Sequence, residues 1–263
     1  MSPTQSGLTQ KRAPGALAAV SRLAEYSIEA IDPFAVKRWP RVHPYRILYT
    51  VAARFIELEA GRNYASYALP EIVLPRADTE SVTPEFFAAE RKNTRLTPAQ
   101  MDLLLYHARL ACGRMAGAIV EVGSYRGVTT RAFAESTKAV VYAVDPFALY
   151  GGTDEDFALF RANTGAYANI VHIKKTSGEA VKEFKPASVC FVFIDATPGY
   201  VNVKHEAIRY GSLLMDGGFV AINNVDNESF PGSRKAAWEL TAEGYDLVTH
   251  AHDMVVLAKR PSV

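Results

Sequence analysis

From Ala118 onward the chain alternates between two textures. Short β-branched and apolar runs stand at Ala118–Val122, Ala139–Val144, Ile170–Lys174, Ser188–Ile194 and Gly218–Asn223. Between them, apolar residues recur at helical spacing over about Thr129–Thr137, Glu155–Thr164, Ser177–Phe184, Val201–Leu214 and Ser233–Glu243. A strand with one wet face would alternate apolar and polar; these runs are nearly continuously apolar. That is the pattern of parallel strands covered by helices on both faces. It predicts a Rossmann-like, doubly wound α/β sheet. The rhythm breaks at the end, where Tyr245–His250 and Met254–Lys259 flank a short Ala-His-Asp turn. This predicts an antiparallel hairpin, and hence one C-terminal strand running against the rest.

Upstream the pattern is helical. Periodic stretches at Ala16–Ile31 and Tyr45–Ala60 are separated by the Pro-rich run Asp32–Pro44. A less regular segment, Asn63–Glu80, carries Pro70 and Pro75. Thr97-Pro98 then opens a helix with a capping residue followed by proline in the first turn. That helix reaches about Cys112 and has Met101, Leu104, Leu105 and Ala108 as its apolar stripe. The division expected is a mobile polar N-terminus at 1–13, a helical extension at 14–96 serving as lid or dimer surface, and a sheet domain at 97–263.

Composition narrows the function classes. With 29 basic and 28 acidic residues, a net charge of +1 and no charge block, nothing asks for a nucleic-acid partner. No apolar run approaches the ~18 residues of a membrane span. The apolar stretch Ala16–Val20 is too short for a signal peptide, so a cytoplasmic location is expected. The two cysteines, Cys112 and Cys190, have no ligand-like company and read as buried free thiols.

In open parallel sheets ligands bind beyond the carboxyl ends of the strands, where strand order reverses. After the first strand comes Glu121-Val122-Gly123-Ser124-Tyr125-Arg126-Gly127-Val128-Thr129. Gly123 and Gly127 allow a sharp turn and close approach of backbone to ligand, although a tight turn without any ligand needs the same glycines. The second strand ends at Asp145, 22 residues after Gly123, near the spacing expected of an acid that grips a ribose diol. A helix-capping or surface aspartate would look the same in isolation. Together the loop and the acid point to a nucleoside. A dinucleotide fingerprint wants a glycine where Glu121 stands, and an acid there repels a pyrophosphate but suits a cationic amino-acid group.

The run E-V-G-S-Y-R-G-V-T-T resembles the first motif of class I S-adenosylmethionine-dependent methyltransferases, in the catechol O-methyltransferase-like and macrocin O-methyltransferase-like form. The preceding helix T-P-A-Q-M-D-L-L-L-Y-H-A-R-L is similar to theirs. So are F-I-D-A-T-P-G-Y-V-N-V-K-H-E, L-L-M-D-G-G-F-V-A-I-N-N and the final hairpin. The resemblance implies S-adenosylmethionine as cofactor and a small-molecule acceptor of secondary metabolism, while the N-terminal helices are expected to serve as a lid or as the surface of a homo-oligomer. By position it places Glu121, Gly123, Tyr125 and Thr129 along the methionine half, with Ser124 and Gly127 in the same cofactor loop, Asp145 on the ribose and Ser177 at the adenine edge. Ser177 equally fits an N-cap. Asp195 falls beside the sulfonium and is the candidate proton acceptor.

The chain also departs from those families. Pro198 replaces a frequent His, and Asn223-Asn224 stand where a carboxylate is usual. Asp195, Asn223 and Asn224 therefore form a metal set with one negative charge, which holds Mg²⁺ weakly or not at all. His205 and Glu206 read as a solvated helix face, and His107 as structural or facing the site. Methyl transfer to oxygen, or to nitrogen, leads. A binding protein of the same fold without catalysis follows, and nicotinamide-dependent oxidoreduction comes last on the glycine spacing.

Overall fold

The protein's computed structural model describes residues 32–74, 84–148 and 152–261, leaving the Phe34 side chain aside. The expected mobile N-terminus 1–13 and the helix Ala16–Ile31 lie outside the described residues. Within them, seven strands form one sheet in the order β3-β2-β1-β4-β5-β7-β6. They are β1 (Ala118–Val122), β2 (Val141–Val144), β3 (Ile170–Ile173), β4 (Val189–Ile194), β5 (Leu214–Asn223), β6 (Tyr245–Ala251) and β7 (Met254–Lys259). The first five pair in parallel, while β7 inserts between β5 and β6 and runs antiparallel to both. The chain winds outward from β1 to β3, then returns to the other side of β1 as β4. That reversal makes the β1/β4 boundary the topological switch point.

The helices are α1 (Pro33–Arg38), α2 (Pro44–Arg62), α3 (Phe86–Ala89), α4 (Pro98–Arg114), α5 (Val128–Ser136), α6 (Asp154–Thr164), α7 (Ser177–Ala180), α8 (Tyr200–Gly211) and α9 (Pro231–Ala242). Helix α4 starts where the sequence places it. Thr97 Oγ1 accepts from Gln100 N–H and Gln100 Oε1 accepts from Thr97 N–H, a reciprocal cap. One face of the sheet buries Leu104, Phe133, Phe191 and Phe193 beneath α4 and α5. The other buries Val192, Tyr200, Val203 and Leu240 beneath α8 and α9, and there Ile56 of α2 joins the core. The near-continuous apolar strands are thus explained by cover on both sides.

Several boundaries shift for identifiable reasons. β2 begins at Val141 instead of Ala139, because its ladder with β1 starts at the Ile119–Val141 pair. β5 begins at Leu214, four residues before the expected start, since Leu214 already pairs with Val189 ahead of a bulge. Helix α8 must therefore end at Gly211. The helix expected over Ser177–Phe184 is one α-helical turn followed by a 3₁₀ turn at Val181–Glu183.

One expectation is overturned. His205 and Glu206 are buried, not solvated. An amphipathic helix on a two-layer fold would expose that face, but α1 and α2 pack against the outside of α8 and form a third layer.

Candidate active site

The loop after β1 turns through Gly123 at φ +93° and Gly127 at φ +76°. A Cβ on Gly123 would lie 2.6 Å from the Asp195 carbonyl oxygen and 2.7 Å from Ala196 Cα. On Gly127 it would lie 2.8 Å from Thr164 Cγ2 and 2.9 Å from Phe160. The glycines are demanded by the positive φ and by packing of this loop against the β4 end and α6. Of the two roles the sequence left open, the tight turn alone accounts for both glycines, and Gly123 also borders the cavity.

Asp145, at the end of β2, is buried and ties the loops together. Its Oδ2 accepts from Tyr125 N–H at 3.0 Å and its Oδ1 from Phe147 N–H at 2.8 Å. Burial pushes its pKa up to about 6, against the pull of those two N–H groups. A carboxylate has about four lone-pair sites, so capacity remains for two hydroxyls. Glu121 is placed differently from the sequence reading. It sits behind the cavity wall, where the Thr130 hydroxyl donates to it, and burial pushes its pKa up to about 8. Burial thus favours its neutral form over the carboxylate.

Asp195 follows β4 and sits in a relay of amides. Gln100 Oε1 accepts from Thr97 N–H and Thr97 Oγ1, which leaves Gln100 Nε2 to donate to Asn223 Oδ1 at 3.0 Å. Asn223 Nδ2 then donates to Asp195 Oδ1 at 2.8 Å. Burial pushes Asp195 up to about 7, opposed by the Asn223 hydrogen bond and the Arg95 guanidinium. Asn224, at φ +61°, donates to Asp253 Oδ2 at 3.3 Å. A hard divalent cation needs oxygens converging on one point. Asn223 presents its NH₂ to Asp195 and its oxygen to Gln100, so these residues do not fit a cation. Among the described residues no group of three His, Cys, Asp or Glu side chains could hold one.

At the switch point a cavity of about 680 Å³ opens between these strand ends. Its wall includes Gly123, Ser124, Tyr125, Thr129 and Asp145 from the first two strand ends. Ser177, Asp195 and Asn224 complete it from the other side. Gly127 and Asn223, like Glu121, stand behind it. Three buried groups on the wall have side-chain oxygens without a hydrogen-bond partner: Ser124 Oγ, Ser177 Oγ and both oxygens of Glu206. Unsatisfied buried polar atoms are costly, and here they belong to residues that border a space a polar ligand can fill. Ser177 is free for that role because Thr176, not Ser177, is the N-cap of α7.

Several residues at the cavity are not legible from motif spacing. Arg126 pairs with Asp156 at 2.7 Å and donates to Asn93 Oδ1 at 3.1 Å, closing one rim. Glu57 of α2 accepts from Tyr200 N–H at 2.6 Å and from Gly232 N–H at 2.9 Å, capping α8 and α9 at once. A glutamate within an apolar helix is the only sequence signal it carries. His107 is buried away from the cavity; its Nδ1 donates to Leu103 O at 2.9 Å and its Nε2 accepts from Thr249 Oγ1 at 3.1 Å. Cys112 and Cys190 are free thiols with sulfurs 3.6 Å apart.

Residues 120–225 match a family model described as a methyltransferase domain. No curated protein matches the chain. Among solved structures, a Corynebacterium glutamicum protein superposes with a TM-score of 0.53 at 15% identity, over 78% of this chain and 98% of its own. An O-methyltransferase from Bacillus cereus in complex with S-adenosylhomocysteine gives 0.51 at 15%, over 78% and 100%. An S-adenosylhomocysteine-bound methyltransferase from Podospora anserina gives 0.50 at 17%, over 78% and 97%. At these identities the likeness is one of fold.

Proposed function

We propose that the protein transfers the methyl group of S-adenosylmethionine to an oxygen of a small-molecule acceptor, a reading supported by the match of residues 120–225 to the methyltransferase-domain model. The observation that carries the reading is the cavity at the switch point, where Asp145 and Asp195 share a wall with buried polar atoms that lack partners. The cofactor supplies a methyl carbon already activated by its sulfonium. The protein's share is alignment, exclusion of water and, for a hydroxyl acceptor, removal of a proton. Asp145 holds the ribose hydroxyls with the lone pairs that Tyr125 and Phe147 leave. Asp195 takes the acceptor's proton, and Asn223 fixes its orientation.

A second cavity of about 720 Å³ supports assigning the acceptor to the N-terminal extension. Ala53, Arg54 and Glu57 of α2 form one side, and Pro198 and Phe230 are shared with the first cavity. The outer face of α2 exposes Tyr45, Leu48, Val51 and Leu58, which supports its use as the surface of a homo-oligomer.

The test is calorimetry with S-adenosylhomocysteine and with a nicotinamide dinucleotide, followed by transfer of labelled methyl to phenolic and aliphatic hydroxyl acceptors. Wild type should bind only the former. Asp145→Ala should lose about 10-fold or more in affinity, as deletion of hydrogen bonds to a charged group requires. Preference for the dinucleotide overturns the cofactor reading. Binding without turnover on any acceptor favours a non-catalytic protein of the same fold.

A further inference from the structure

The wall residue that the motifs leave unexplained is Glu206. It lies on α8, is 1% exposed, borders the cavity, and neither carboxyl oxygen completes a hydrogen bond. The Ser177 hydroxyl on the same wall is buried and lies beside that carboxyl group, near enough to pull its pKa down. Asp145 and Asp195, the other carboxyl groups considered for the cofactor, already have partners. Glu206, with Ser177 beside it, thus keeps most of its hydrogen-bonding capacity for a ligand at this wall.

Its surroundings decide which form it takes. Burial pushes it up to about 8, against the Ser177 hydroxyl and the Lys37 ammonium, while the Asp32 carboxylate adds to the rise. Tyr210, a turn further along α8, spends its hydroxyl on Ser177 O at 2.8 Å. A neutral carboxyl group presents one O–H donor beside one carbonyl acceptor. In S-adenosylmethionine the complementary pair, a ring nitrogen acceptor beside an amine donor, occurs at the adenine edge.

Resting on the reading that this cavity takes S-adenosylmethionine, we propose that Glu206, with Ser177 beside it, reads the purine. The Glu206 carbonyl oxygen accepts from the exocyclic amine and its O–H donates to the neighbouring ring nitrogen. Purine selection then comes from α8, on the face that α1 and α2 cover. The competing ligand for a buried carboxyl is the cofactor's own ammonium group, at the opposite end of the molecule.

Calorimetry of wild type, Glu206→Gln and Glu206→Leu with two probes separates these. The probes are S-adenosylhomocysteine and 5′-methylthioadenosine, which keeps the purine and lacks the amino-acid end. Glutamine preserves one donor and one acceptor, so Glu206→Gln should bind both within about threefold of wild type. Glu206→Leu should lose about 10-fold or more for both, the loss expected for two hydrogen bonds. Circular dichroism of each variant shows that the fold is kept, and Glu206→Met replaces the leucine variant if that one does not fold. Wild-type affinity in the leucine or methionine variant overturns the proposal. So does a loss confined to S-adenosylhomocysteine, which would place the ammonium at Glu206. A folded Glu206→Gln as weak as the leucine variant overturns it too. If wild type binds neither probe, the cofactor reading itself falls, and this inference with it.

Discussion

Asn223 donates a hydrogen bond of 2.8 Å to Asp195 because Gln100 already occupies its amide oxygen at 3.0 Å. The direction of that bond is set two residues away, by the cap at Thr97 that fixes Gln100. A carboxylate that receives an N–H is oriented and eased toward its charged form. The same N–H occupies the side from which a cation would otherwise be held.

Turnover should therefore be unchanged by excess chelator and should depend on pH through Asp195. With its pKa pushed up to about 7, Asp195, the proposed base, can accept a proton only when ionised. The rate should rise about tenfold per pH unit below that value and level off above it. Asp195→Asn should remove the dependence and about 10²–10⁴-fold of the rate. Activity lost in chelator and restored by Mg²⁺, or a flat wild-type profile, contradicts this.

Gly123→Ala should destabilise the protein as well as weaken cofactor binding. The added methyl meets the Asp195 carbonyl at 2.6 Å in a backbone at φ +93°. Strain of this kind costs roughly 1–3 kcal/mol before any ligand is considered. Chemical denaturation without ligand measures it, and an unchanged midpoint would return the glycine to a purely ligand-facing role.

Glu57→Ala should cost roughly 2–4 kcal/mol in the same experiment. It deletes two hydrogen bonds to a charged group and leaves two helix N-termini, those of α8 and α9, without their acceptor. Glu57→Gln should lose less. It follows that deletion of residues 1–60 removes part of the core along with one side of the proposed acceptor cavity, since Ile56 is fully buried. A truncated chain of wild-type stability would count against that.

Without ligand, stability should fall as pH rises from about 5 to 8. Glu121 and Glu206 stand at about 8 in the folded chain against 4.5 ordinarily, and Asp195 and Asp145 at about 7 and 6 against 3.8. The folded state therefore holds protons that the unfolded state has released. The stability this lends is complete below the unfolded values and is lost as pH climbs to the folded ones. His250, raised by its hydrogen bond to Asp226, acts in the same direction, whereas His107 and His172, pushed down by burial, oppose it over part of the range. Thermal melts at pH 5.5 and 8 test it, and Glu206→Gln should flatten the slope. A melting point that climbs with pH would be incompatible with these four buried acids.

Much of the fold is legible because it rests on local rules. Apolar runs such as Val189–Ile194 can only be strands buried on both faces, and the Thr97–Gln100 cap announces its helix within four residues. Asp145 and Asp195 are legible for a related reason: a parallel sheet puts its strand ends at the ligand, wherever the rest of the chain goes. Strand starts such as Leu214 are not, because a ladder begins where its neighbour lies, which no local pattern states.

The sequence by itself determined the winding of the sheet, the switch point and the acids beside it, since hydrophobic period and strand-end position act over a few residues. Only the tertiary structure decided what those residues do to one another. Gly123 is needed for packing because the chain just after β4 puts the Asp195 carbonyl oxygen 2.6 Å from where its Cβ would be. Asn223 is a donor because Gln100, 123 residues earlier, claims its oxygen. Glu206 is a buried acid at the cavity because α1 and α2 cover a helix face that reads as solvated. Burial and hydrogen-bond direction are set by neighbours remote in the chain, and a one-dimensional pattern carries no record of which neighbours will arrive.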